Sequence, residues 1–271
     1  MPELPEVETV RRGLAPHLIG QRFSGAVVRE PRLRWPVPAD LAERIAGRRT
    51  ERLERRGKYL LFGLDSGNLI VHLGMSGSLR LVQSGTPPTK HDHLDLLLTN
   101  GALLRYRDPR RFGAVLWSAA PEAEPLLAHL GIEPLEAGFN GDWLYAASRG
   151  HRTAIKSWLM DAHRLVGVGN IYANEALFHA GIHPLAEAGK LSRPRCRRLA
   201  DALRVTLERA IEAGGSTLRD FVDSRGEPGY FQQTYYVYGR AAEPCRACGS
   251  PIRLERLCNR ATYYCPQCQK K

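Results

Sequence analysis

The chain has 271 residues, 39 of them Lys or Arg against 28 Asp or Glu, giving a formal net charge of +11 and a pI near 9.7. That length accommodates two modest domains with cores of their own, and the charge points to a polyanionic partner. There is no long apolar span and no isolated basic amphipathic helix, which argues against a membrane protein; the acidic, patterned first residues lack a signal's apolar stretch, so a cytoplasmic protein is expected.

The first stretch, from Met1 to Leu14, reads as a helix start. Pro5 suits the first turn, Glu6 and Glu8 suit a helix N-terminus, and Val7, Val10, Leu14 and Leu18 follow at helical spacing. A second reading sits on the same residues. Pro2 is small enough for Met1 to be removed ahead of it, which leaves a secondary amine at the terminus. An α-amino group titrates near about 8, so a useful fraction is neutral. Such an amine can attack a sugar carbon to give an iminium, and Glu3 beside it can move protons at the ring.

From Arg22 to about Ser118 the chain reads as short strands: Phe23–Val28, Thr50–Arg55, Tyr59–Leu64, Leu69–Leu73, Leu79–Val82, Leu94–Leu98, Leu103–Arg107 and Ala114–Trp117. Asp65-Ser66-Gly67-Asn68 and Asn100-Gly101 are hairpin signals between them. Many short strands at this spacing predict a β-sandwich or barrel. Within it, Arg55 and Arg56 read as solvated charges at a strand edge, with Lys58 beside them. Arg110 and Phe112 alternate, so in extended chain they point the same way. His91 and His93 flank Asp92 but have no partner at diagnostic metal-ligand spacing, and Lys90 would repel a cation.

Pro121 to Pro134 changes composition and is expected to hold a short helix and a linker. Beyond Gly141 the texture is helical: Trp143–Ser148, Ala154–Asp161, Ile171–Ala180 and the long Arg193–Ala213. The tract from Ile155 to Gly181 has the form helix, Gly-containing turn, helix, and its second N-terminus with Asn170 is suited to a phosphate. Ser216 to Tyr230, with Gly226, Pro228 and Gly229, reads as a long loop with a lid role.

Cys245-x2-Cys248, sixteen residues, then Cys265-x2-Cys268 is a zinc spacing, and four thiolates close a tetrahedral sphere. Such a metal has no open position, so it is structural. The segments Ile252–Leu257 and Ala261–Tyr264 predict a hairpin with Asn259 and Arg260 at its tip, folded by the metal. Cys196 and Cys258 read as thiols outside the set.

Pro2-Glu3-Leu4-Pro5-Glu6-Val7-Glu8-Thr9 resembles the N-terminal signature of the bacterial formamidopyrimidine-DNA glycosylases, repair enzymes for oxidised purines. The resemblance continues in order through Arg34-Trp35-Pro36, Gly57-Lys58-Tyr59-Leu60, His72-Leu73-Gly74-Met75-Ser76-Gly77, Lys90-His91-Asp92-His93, Asp108-Pro109-Arg110-Arg111-Phe112-Gly113, Gly167-Val168-Gly169-Asn170-Ile171-Tyr172-Ala173 and the C-terminal cysteines, so it spans the whole chain.

The fold it implies is multidomain α+β: an N-terminal catalytic helix and β-sandwich over 1–133, a helix-two-turn-helix domain with a lesion-capping loop over 134–236, and a four-cysteine zinc finger over 237–271. The activity it implies is base-excision repair of damaged double-stranded DNA by a monomer with one structural zinc. In that scheme Pro2 attacks the sugar, Glu3 handles its proton, and Lys58 and Arg260 act at the lesion phosphate and in strand cleavage. Asn170 contacts the same region and His91 the DNA backbone. His151 stands where relatives carry a basic contact residue. Met75, Arg110 and Phe112 fill the space left by an extruded base, with Arg110 pairing to the orphan. Two alternatives remain: an endonuclease VIII-like enzyme for oxidised pyrimidines, and a non-enzymatic zinc-containing nucleic-acid-binding protein.

Overall fold

The helical spacing after Pro5 is realised in the computed structural model as α1 (Leu4–Leu18), which buries Val7, Val10, Leu14 and Leu18. Its start is a reciprocal capping box: the Glu6 carboxylate accepts from the Glu3 N–H at 2.8 Å, and the Glu3 side chain accepts from the Glu6 N–H. Two donors that a helix N-terminus would orphan are thereby satisfied. The structure describes residues 1–215 and 235–271. The predicted loop Ser216 to Tyr230 lies outside them.

The described chain forms two units, residues 1–129 with 213–215, and residues 130–212 with 235–271. The first holds two antiparallel four-stranded sheets. One has β1 (Phe23–Val28), β5 (Ser78–Gln83), β6 (Asp92–Leu98) and β7 (Ala102–Arg107) in the order β1-β6-β7-β5. The other has β2 (Thr50–Arg56), β3 (Tyr59–Leu64), β4 (Asn68–His72) and β8 (Ala114–Ser118) in the order β2-β3-β4-β8. Leu60, Phe62, Leu69 and Val71 of one sheet and Phe23, Leu79, Leu94, Leu96 and Leu104 of the other enter one core with α1. This is the sandwich form of the predicted sheet structure. The hairpin signals fall where expected, with Gly67 and Gly101 both at positive φ.

Two details differ from the sequence reading. A short helix, α2 (Leu41–Ile45), interrupts the strand region; five residues are too few for periodicity to register. Arg55 is no solvated edge charge. It forms an ion pair with Glu8 of α1 at 3.3 Å, with only about a tenth of either side chain exposed, and so ties the first helix to β2. Glu8 also accepts from Arg11 and Arg12. Burial raises its pKa, but those hydrogen bonds outweigh it and hold the carboxyl below its ordinary value.

The linker region carries a 3-10 turn (Pro121–Ala123) and α3 (Pro125–Ala128). The second unit follows with α4 (Gly141–Ser148), whose first turn is capped by the Asn140 side chain, then α5 (Ile155–Leu159), α6 (Asn170–His179) and α7 (Arg193–Glu212). Helix α7 packs against α4 and α6 and buries Leu199, Leu203 and Leu207. The hairpin β9 (Arg253–Leu257) and β10 (Arg260–Tyr264) closes the unit. Its turn is Cys258–Asn259, both at positive φ, so Arg260 opens β10 opposite Leu257 rather than sitting in the turn. No helix among the described residues is long and apolar enough to cross a membrane.

Candidate active site

The start of the chain is packed rather than frayed. Pro2 is buried and Glu3 is only 2 % exposed, because α1 carries its first turn into the core. The terminal amine, here on Met1, has its pKa pushed below the ordinary α-amino value. Burial is the main cause; Glu3 and Glu6 oppose it, while Lys58 and Arg110 add to it. The charged groups acting on the amine are therefore two carboxylates and two of the cations singled out in the sequence. An amine whose charged form is disfavoured by burial, with a carboxyl beside it, is the pairing that nucleophilic attack and ring protonation require.

Lys58 reaches this place through a tight turn. Strands β2 and β3 pair as far as Arg56 opposite Tyr59, leaving Gly57 and Lys58 as the connection, with Gly57 at φ +56°. Arg55 donates to the Gly57 carbonyl at 3.0 Å and braces the turn. Next to it, His72 lies against Tyr59 with ring centroids 4.7 Å apart. Burial, then Lys58 and Arg34, push its pKa down to about 4, so the ring is neutral. Its Nδ1 accepts from the Gly74 N–H at 3.1 Å, which leaves the proton on Nε2. The sequence reading quoted His72 within a motif but gave it no role.

Met75 and Phe112, residue types that usually fill cores, are 38 % and 42 % exposed. They stand on neighbouring loops: a Cβ at Gly74 would come within 2.5 Å of the Gly113 nitrogen. The Arg110 guanidinium lies over the Phe112 ring at 4.8 Å. Strand alternation does not bring these two together, since Arg111 between them takes φ +57° and the segment is a turn, with Arg111 paired to Glu30. His91 is half-buried. His93 is buried and bonded through Nε2 to the Asp108 carbonyl, and Asp92 is engaged by Thr89. The His91-Asp92-His93 run is thus structural where it is buried.

The second unit builds a site of its own. Asn170, the first residue of α6, donates through Nδ2 to the Ala261 carbonyl at 3.0 Å. Asn174, one turn on, accepts from the Tyr263 N–H at 2.8 Å. Lys156 on α5 is 1 % exposed and donates to the Ala261 carbonyl and to the Thr262 hydroxyl. Together they fix β10 and its first residue, Arg260, against the helix pair. Lys156, Ser157, Met160, Cys258 and Arg260 line a shallow pocket there. Sequence reasoning missed Lys156: on an apolar-periodic helix it reads as one polar position, and its partners lie about a hundred residues away. His151 is half-buried just past the turn that follows α4, where the Gly189 N–H donates to its carbonyl.

The ligand atoms of Cys245, Cys248, Cys265 and Cys268 all lie within 4.8 Å of one another. Two pairs are 3.9 Å (Cys245–Cys268) and 3.4 Å (Cys248–Cys265) apart. Four sulfurs at about 2.3 Å from one zinc ion would sit about 3.8 Å apart, so the set fits a tetrahedral ion. Backbone N–H groups of Ala247 and Cys268 point at two of the sulfurs, as thiolate ligands need. Cys196 is buried and Cys258 exposed, and neither belongs to the set.

Three family models match: the formamidopyrimidine-DNA glycosylase N-terminal domain over 1–115, its H2TH domain over 130–222, and the zinc finger found in FPG and IleRS over 242–271. The formamidopyrimidine-DNA glycosylase of Methylococcus capsulatus is 59 % identical over 271 residues, all of both chains. That of Stutzerimonas stutzeri is 59 % identical over 270 residues, again all of both. Among solved structures, the MutM (FPG) protein of Thermus thermophilus is 40 % identical with a TM-score of 0.89, covering 99 % of this chain and 98 % of that one. A Lactococcus lactis FPG mutant bound to DNA containing Fapy-dG is 34 % identical with a TM-score of 0.92, covering all of both chains.

Proposed function

This chain belongs to the formamidopyrimidine-DNA glycosylase family, and from that premise we propose how its residues divide the work of the family reaction. It is a base-excision repair glycosylase for oxidised purines in damaged DNA, with the family's lyase activity, and its four clustered cysteines are the site of one structural zinc. The observation that carries the division of labour is the buried amine at the chain start, acted on by Glu3, Glu6, Lys58 and Arg110.

With Met1 removed, Pro2 presents a secondary amine that attacks the sugar C1′. The base leaves C1′ with the bonding pair and takes up the proton that the amine nitrogen sheds. Glu3 then delivers a proton to the ring oxygen as the C1′–O4′ bond breaks with its pair going to oxygen, and the nitrogen lone pair closes the C1′=N⁺ bond. The resulting iminium makes the adjacent hydrogen acidic, so β- and then δ-elimination expel the two flanking phosphates. Lys58 and Arg260 neutralise phosphate charge in these steps. His91, His151 and Asn170 hold the DNA backbone, and Met75, Arg110 and Phe112 occupy the space the base vacates. The functional divisions we assign are 1–133 for catalysis, 134–236 for backbone grip and lesion capping, and 237–271 for the zinc finger. The protein acts as a cytoplasmic monomer that meets the nucleoid through its DNA.

Borohydride trapping on a duplex containing 8-oxoguanine tests the scheme: a covalent adduct is expected at Pro2, and protein that retains Met1 should give none. The trapping rate also has an expected pH dependence. Only the neutral amine attacks, so the rate should climb with pH. Burial lowers the pKa of the amine that Met1 carries at this place, and the same burial of Pro2 predicts a midpoint below that of a solvated N-terminal proline. A midpoint at or above that value would remove burial from the explanation.

Arg110 has a separate readout. Its planar donors suit the carbonyl oxygen and ring nitrogen exposed on an unpaired cytosine, whereas adenine has a C2–H where cytosine has that carbonyl and so offers no second acceptor. One good bidentate contact carries ~1–3 kcal/mol, so Arg110→Ala is expected to narrow the cytosine-to-adenine excision ratio by roughly tenfold to a hundredfold. Phe112→Ala should slow excision opposite both bases equally, because a wedge does not read the base. Single-turnover excision on the two duplexes at fixed salt measures both.

A further inference from the structure

Asp108 has no part in the scheme above, yet it is fully buried and both of its carboxylate oxygens are engaged by the loops that carry Met75, Arg110 and Phe112. Oδ1 accepts from the Ser76 hydroxyl at 3.1 Å and from the Arg110 N–H at 3.2 Å. Oδ2 accepts from the Gly113 N–H at 2.9 Å and from the Tyr106 hydroxyl at 3.3 Å. Its own carbonyl bonds His93 Nε2 at 2.8 Å. One side chain therefore holds the residue after Met75, the backbone of Arg110 and the residue after Phe112. The tips themselves stay exposed.

The surroundings leave no substitute for it. The Tyr106 hydroxyl is kept protonated, and hence a donor, by burial and by the Asp108 charge. The same hydroxyl reaches the His72 carbonyl at 3.1 Å, and a Cβ on Gly113 would overlap both of those oxygens. Three donors converge on the two oxygens, joined by the Tyr106 hydroxyl, whose one proton is shared with the His72 carbonyl. Two of the three are backbone N–H groups that cannot rotate away or turn into acceptors. A carboxylate suits this site and an amide does not, since an amide offers one acceptor and faces the rest with donors.

We propose that Asp108 is a positioning residue for base extrusion: its carboxylate locks the Met75 loop to the Arg110–Phe112 loop, so that the three side chains enter the duplex as one rigid unit. The inference rests on the reading of those three residues given above. Insertion of three tips into one vacated space requires their mutual geometry before contact, and preorganisation of that kind raises the rate of the insertion step rather than the initial grip on DNA. The initial grip comes from phosphate contacts elsewhere.

The test is Asp108→Asn in the full-length, zinc-loaded protein, with 2-aminopurine placed beside the lesion to report insertion in stopped flow. The expected result is an insertion phase slowed at least tenfold, initial DNA affinity changed less than threefold, and a cytosine-to-adenine excision ratio narrowed toward that of Arg110→Ala. The double variant Asp108→Asn/Arg110→Ala should show no further narrowing. A lowered melting temperature with an unchanged insertion phase would mean that Asp108 only stabilises the sandwich, and would overturn the proposal. If Asp108→Asn does not fold, Ser76→Ala decides, since it cuts only the tie to the Met75 loop. That variant should slow insertion severalfold without altering the excision ratio, and normal insertion in it overturns the inter-loop lock. Should Arg110→Ala itself leave the ratio unchanged, the base-reading role of Arg110 falls, while the insertion phase still judges Asp108.

Discussion

Glu3→Gln is expected to lower excision of 8-oxoguanine from intact duplex by about 10²–10⁴-fold, the usual range for loss of a general acid or base. The substitution isolates the proton. Glutamine has nearly the size of glutamate, and its carbonyl oxygen can still accept from the Glu6 N–H, so the capping box that starts α1 survives. The amine at the chain start is also left in place, and its burial is unchanged. A preformed abasic site has already lost its base, and its hemiacetal opens to the aldehyde in water, so attack by Pro2 there needs less acid assistance. Strand cleavage and borohydride trapping on that substrate should therefore persist in part. Comparing the two substrates with one enzyme preparation, alongside its melting temperature, separates chemistry from folding. Equal loss on both would assign Glu3 a purely structural role at the helix start.

Cys248→Ser should remove zinc and DNA binding together. The β9–β10 hairpin has little core to fold around, because Arg253, Leu254, Glu255 and Arg256 are all exposed. What holds it is a small cluster of Cys245, Cys265, Ile252, Val237 and Phe178, two of whose members are metal ligands. Zinc binding at such sites is worth about 10–16 kcal/mol near neutral pH, far more than that cluster supplies, so the ion and the hairpin fold as one event. Arg260 opens β10, and Lys156, Asn170 and Asn174 grip the same strand. Losing the hairpin therefore displaces the arginine and exposes the buried lysine. Metal analysis and DNA titration at fixed salt should fall in parallel. A zinc-free protein that binds DNA normally would falsify this coupling.

Of the two rival readings, the non-enzymatic binder explains the charge and the cysteines but gives no purpose to a buried amine flanked by Glu3 and Lys58. The pyrimidine-directed enzyme shares the architecture. The full-length identity to proteins named formamidopyrimidine-DNA glycosylase places the chain with the purine enzymes.

The sequence by itself determined whatever depends on local pattern. The spacing of Val7, Val10, Leu14 and Leu18 placed α1, short apolar segments bounded by turn signals placed the eight strands, and two Cys-x2-Cys pairs placed the metal site, because each is written within a few residues along the chain. The contiguous motifs likewise singled out Pro2, Glu3 and Lys58 as candidates, and the spacing of the cysteines put Arg260 on the hairpin between them. Tertiary structure alone decided the pairings between distant residues. Arg55 became a buried partner of Glu8, Lys156 found its acceptors on β10, and Asp108 gathered donors from Ser76, Tyr106, Arg110 and Gly113. It also decided that Met75 and Phe112, apolar residues of core type, stand in solvent. A side chain's composition states how much burial would stabilise it, but which surface it meets is set by sheet packing and turn geometry. Those depend on contacts that no local window contains.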